Sequence, residues 1–167
     1  MRVRVLRAVV LAAMVGILAQ IASPAGAITV GEGGGCTPGF WKNHKTSWQE
    51  HRPGTQLGVN TAATFTIPDE YAVLRTKTFI QALGFQGGPT ELDAAKVLLK
   101  HAVAAYLNAA HDDIKYPLQR YVDGGIQDQV NAALASSDRQ TMLDLKNELD
   151  ALNNAECQAS GPNTNQD

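Results

Sequence analysis

Apolar residues recur at helical spacing through most of this chain, and the clearest case lies in its middle. From Thr90 the pattern sets Leu92, Leu99, Val103, Tyr106 and Ala110 on one stripe. Ala94, Ala95, Leu98, Ala102, Ala105 and Ala109 line a second face, and Lys96 and Lys100 mark one wet strip. A helix apolar over so much of its circumference packs on several sides. The run from about 90 to 110 is therefore expected to be the central helix, opened by Thr90 with Asp93 three residues on.

The flanking patterns are shorter. Thr37 and Pro38 suit a helix start, and the spacing predicts a helix to about His51. On it Phe40, His44, Trp48 and His51 share a face bordered by Trp41. Thr55 to Pro68 has no helical period, only an alternation of Phe65 and Ile67 with threonines, and reads as an ordered loop. A second helix follows Pro68, with Val73, Leu74, Phe79, Ile80 and Leu83 inward and Gly84 past its end. Tyr116-Pro117 makes a turn, and Leu118 to Val122 suggests a short helical piece. A helix at Ile126 to Ala135 buries Ile126, Val130, Ala133 and Leu134. Ser137 to Gln140 is a capping box for a last helix with Met142, Leu145, Leu149 and Leu152 on one stripe. The expected fold is all-α. About five helices pack around the Ala/Leu-rich central one, with an ordered loop at 53–68.

The first residues change the picture of where the chain works. Arg2, Arg4 and Arg7 precede an apolar run from Ala8 to Ile21, and Ala25-Gly26-Ala27 follows. That is the layout of a secretory signal peptide cleaved near Ala27, and the run is short for a transmembrane span. The organisation expected is a signal peptide at 1–27, a flexible glycine-rich leader at 28–35, one helical domain at 36–157 and a disordered tail at 158–167. The product is then secreted, with no stable membrane anchor after cleavage.

Charge follows from that cut. Of 14 basic residues three fall in the leader, leaving 11 against 16 acids, a net charge of about −5. No basic block remains, so nucleic acid is excluded as a partner. Two cysteines, Cys36 and Cys157, enter an oxidising compartment, where a bridge between first and last residues of the domain is expected. The chain-entropy picture gives roughly 4–5 kcal/mol for a loop of that length.

The candidate chemistry is sparse. Phe40, Trp41, His44, Trp48 and His51 form the densest set of costly side chains and are the candidate binding face. His44 and His51 lie seven residues apart, about two helical turns, too far for one metal. No metal and no cofactor is assigned. His101 and Asn108 on the central helix are a candidate buried polar network, expected to satisfy the backbone of the loop at 55–68. His111-Asp112-Asp113 resembles the pair of secreted phospholipases A2, but lacks their disulfide bracing and glycine-rich calcium loop. His111 is expected as a cation at a helix C-terminus. Asp112, Asp113, Asp123 and Asp128 match no calcium loop, and no nucleophile elbow is present.

The segment Cys36-Thr-Pro-Gly-Phe-Trp-Lys-Asn-His44 resembles a group of secreted bacterial proteins and surface modules with a C-T-P-G-[FY]-W-K-N-H motif. Leu98 to His111 and Leu149 to Cys157 resemble the same group. The resemblance implies an exported domain, without an activity to carry over. The functional expectation is an extracellular module binding a glycan, peptide or envelope component through the Phe40 to His51 face. The competing readings are a small hydrolase, metal-assisted through His44, and a purely structural extracellular component.

Overall fold

The computed structural model describes residues 34–58 and 64–159. The expected signal peptide, most of the expected leader and the tail beyond 159 lie outside the described residues. Five α-helices follow in order: α1 (Pro38–Asn43), α2 (Phe79–Ala82), α3 (Glu91–Asn108), α4 (Ile126–Ala135) and α5 (Arg139–Asn153). Short 3-10 segments add Lys45–Ser47 and Asp69–Leu74. No strand occurs among the described residues, only an isolated antiparallel bridge between Gln56 and Thr78.

α3 is the centre. Thr90 caps it, its hydroxyl accepting from the Asp93 amide at 3.1 Å while Asp93 returns to the Thr90 amide. Leu98, Leu99, Val103, Tyr106 and the alanines from 94 to 105 are buried. α5 packs on it most extensively, and α4, α1 and α2 also touch it. The alanines explain the close seating of α5: they leave room for Met142, Leu145, Leu149 and Leu152, all buried. The Cys36–Cys157 disulfide closes the domain across 121 residues. Beside it Gly35 donates from its amide to the Glu156 carbonyl at 3.2 Å. Gly34 and Gly35, expected in a flexible leader, are buried, and a Cβ on Gly35 would collide with the Leu152 carbonyl.

Four local expectations are corrected. The first helix stops at Asn43, with His44 at φ −112°, ψ 59°. The Trp48 indole donates to the Trp41 carbonyl at 2.9 Å, the acceptor that the Lys45 amide would use if the helix continued. The second helix is broken in two. Between its halves Arg75 and Thr76 form a turn and Thr78 is extended, because Leu57 and Gly58 donate to the carbonyls of Lys77 and Arg75, and Phe79 donates to Thr55. Val73, expected inward, is 63% exposed. Leu118 to Val122 is not helical. Its backbone pairs instead with the start of α4, Ile126 and Gln127 donating to Gln119 and Arg120. Finally, α5 is capped by Asp138, which accepts from the Thr141 amide at 2.7 Å. Ser137, the expected cap, sits at φ 49° in the turn from α4.

The loop at 53–68 is ordered where described. Leu57, Phe65 and Ile67 are buried. Its backbone is satisfied by α4, with Gln127 donating to the Thr64 carbonyl and Asn131 accepting from the Thr66 amide. Arg75 adds two bonds to the Ile67 carbonyl.

Candidate functional site

The expected polar network exists, but it faces the other way. Asn108 bonds the backbone at Cys36, where the disulfide clasps the two ends of the domain, and not the loop. Its Oδ1 accepts from the Cys36 amide at 2.8 Å and the Trp41 indole at 3.0 Å. Its Nδ2 donates to the Cys36 carbonyl at 3.0 Å and to Asn153 Oδ1 at 2.8 Å. Asn153, missed in the sequence, also accepts from the Tyr116 hydroxyl and donates to the His101 carbonyl. All four hydrogen-bonding valences of the Asn108 amide are thus filled. This is a structural knot that fixes the first residues of the domain to α3 and α5.

His101 takes part in the knot only through its backbone. Its Nδ1 lies 3.4 Å from Asp150 Oδ1 without a hydrogen bond. Burial holds the ring well below its ordinary value, to about 4, and Asp150 offsets this only in part. Lys146, paired with Asp150 at 3.3 Å, and Lys100 lower it further by their charge. His111 is also buried, and its Nδ1 accepts from the Asp113 amide at 3.2 Å. The same nitrogen lies 4.0 Å from the Asp113 carboxylate.

The face expected from Phe40 to His51 does not assemble, because it required a helix reaching His51. Trp41 is fully buried and belongs to the core. His44 is exposed, stacked on Phe40 with centroids 4.2 Å apart, and its Nδ1 meets the Phe40 carbonyl at 2.9 Å. Trp48 is half-buried and tied to Trp41. His51 separates from the others and joins a different group. Among the described residues no three potential ligands are grouped to hold a metal.

That different group is the best candidate site. Arg120 is its hub. Its guanidinium donates to Glu50 at 2.6 Å and 3.1 Å, meets His51 Nε2 at 3.3 Å, and lies over the rings of Tyr106 and Tyr121. Tyr106 and Tyr121 contact edge to face, centroids 5.7 Å apart. The hydrogen bond to Arg120 holds the Glu50 carboxyl below the usual range. Burial first, and Arg120 second, lower His51. Its ring is therefore neutral at pH 7 and able to accept from Arg120. Burial raises the Tyr106 phenol, helped by Tyr121.

Beside this hub opens a groove of about 370 Å³. Ala109, Ile114, Leu118 and Val122 give its apolar part. Lys115, Gln119, Arg120 and Tyr121 give its polar part, and Tyr116 lines it as well. Tyr121 is 64% and Val122 48% exposed, two of the three large hydrophobic residues left in solvent among the described residues. The volume sits at the low end of the range for small-ligand sites, roughly 300–1,000 Å³. The shape of this wall comes from the pairing of Gln119 and Arg120 with α4 and from Gly124, whose φ of 72° makes the turn between them. Sequence reading passed over Arg120 and Tyr121. The available signal was a Tyr-Val pair in a segment too short for a buried helical face.

No family model, curated protein or solved structure matches this chain.

Proposed function

We propose that the protein is an exported, disulfide-closed binding module whose ligand seat is the groove between Ala109 and Val122. One observation carries this reading: an aromatic ring left in solvent and yet held rigid at the mouth of a small-ligand groove. Tyr121 is clamped by Arg120 on one side and by the edge of Tyr106 on another, and Arg120 is itself fixed by Glu50. A solvent-facing side chain with no task does not need two such supports. Such pre-ordering lowers the entropy lost on binding. The seat differs from the Phe40 to His51 face expected from sequence, and of that set it keeps only His51, through Arg120.

Export is part of the proposal. The signal-peptide pattern and the disulfide, which suits an oxidising compartment, support it. So does the resemblance of the Cys36 to His44 motif to secreted bacterial proteins. The test is retention of the mature protein, beginning near Ile28 and with its disulfide intact, on glycan and peptide arrays. Tyr121→Ala should lose at least tenfold in signal while keeping its far-UV circular dichroism. Equal retention of the two proteins would place the ligand elsewhere and overturn the reading.

A further inference from the structure

Resting on that reading, we infer that the groove takes an acidic saccharide, a chain containing uronic acid residues. Three features point the same way. The first is the platform. Tyr121 offers a rigid, exposed ring at the mouth, and Val122 extends the apolar surface. The C–H face of a sugar ring packs on such a surface while its hydroxyls stay available.

The second is the charge of the lining. The groove is lined by Lys115 and Arg120 and by no carboxylate, in a protein with an acidic balance. Asp112, Asp113 and Asp123 flank the segment in sequence but do not line the groove. Arg120 is neutralised by Glu50, yet of the five N–H donors of the guanidinium Glu50 takes two and His51 one. Lys115 is exposed and has no ion-pair partner among the described residues. It is the cation ready for a ligand carboxylate, with Gln119 an additional amide for hydroxyl groups.

The third is what the groove does not offer a peptide. Strand addition needs a sheet edge, and the described residues contain no strand. Docking of an amphipathic helix needs a long apolar trough, whereas this groove is short and half its named lining is polar. Polyproline recognition uses grooves lined by several aromatic rings, and along this groove only Tyr121 among the described residues projects into solvent.

The probes are a galacturonic acid trimer, the neutral glucose trimer of matching length and an acidic hexapeptide, each titrated calorimetrically into the disulfide-intact mature protein. The uronate trimer should bind, at least tenfold more tightly than the neutral trimer, and added salt should weaken it. Tyr121→Ala should reduce its affinity at least tenfold. Lys115→Gln should reduce it about three- to tenfold and flatten the salt dependence. Lys115 is exposed and unpaired among the described residues, so Lys115→Gln should leave the thermal midpoint unchanged. Tyr121→Ala loses its contacts to Arg120 and Tyr106 and should lower the midpoint by a few degrees, so titrations well below it separate lost binding from lost folding. Equal binding of the two trimers overturns the acidic specificity but leaves the groove as a ligand seat. Binding of the peptide in preference to either sugar overturns the saccharide class. Uronate binding that ignores both substitutions overturns the site.

Discussion

Asn108 is the residue on which the clasp depends. Replacing it by Ala removes four hydrogen bonds and leaves the Cys36 amide and carbonyl and the Trp41 indole without partners in a dry interior, while Asn153 keeps only Tyr116 and the His101 carbonyl. Each such orphan costs about 1–3 kcal/mol, with partial relief by water or relaxation. Asn108→Ala should lower unfolding stability by about 3–5 kcal/mol in urea denaturation, with the disulfide still formed. A loss below 1 kcal/mol would show that the knot is not what holds the clasp. His101 makes a pH prediction. Its folded value of about 4 lies below the unfolded 6.5, so the unfolded chain binds the proton first. Stability contributed by the neutral ring is complete above pH 6.5. It is lost as pH falls toward 4, up to about 3 kcal/mol. His51, lowered by burial, adds a slope of the same sign. Denaturation midpoints measured from pH 7.5 to 4 should fall accordingly, and His101→Leu should flatten the curve. The presence of a histidine and an asparagine on α3 was legible in the sequence. Their partners were not, because the bonds to Asn108 cross up to 72 residues and those to Asn153 close only when α5 is seated.

Helices in this domain begin where side chains cap them and end where tertiary bonds capture the backbone. α3 was legible because its signals agree: an apolar pattern, a Thr90 cap and an Asp93 three residues later. α1 was overextended because its stop is a tertiary event, the indole of Trp48 returning to Trp41. The second helix failed for a related reason, since the loop at 55–58 competes for the amides and carbonyls of 75–79. At α5 the error was one residue. Asp138→Ala should therefore cost about 1 kcal/mol, a typical capping loss. Gln140→Ala should cost only a few tenths, because Gln140 bonds Asp144 on the surface and not the helix start. Thermal unfolding of the two variants distinguishes the caps, and a larger loss at Gln140 would restore the sequence expectation.

For the molecule as a whole, the disulfide joins the beginning of the domain to the end of α5. Thiol titration of the unfolded, unreduced mature protein should find no free thiol. Reduction should lower stability by up to about 4–5 kcal/mol, since the loop spans 121 residues. Denaturation with and without reductant measures it, and an unchanged midpoint would show that the knot around Asn108 holds the ends together without the bridge. The sequence by itself determined the helical class, the central helix and the cysteine pairing. These follow from periodicity, from the apolar breadth of one segment and from there being two cysteines, all local or countable properties. Only the tertiary structure decided the site. Glu50, His51, Tyr106, Arg120 and Tyr121 come from three separated stretches, and no spacing along the chain relates them. The expected face was a property of an isolated helix, and it vanished when packing ended that helix at Asn43. The groove appeared instead where a non-helical segment was pinned between Glu50 on one side and the first turn of α4 on the other.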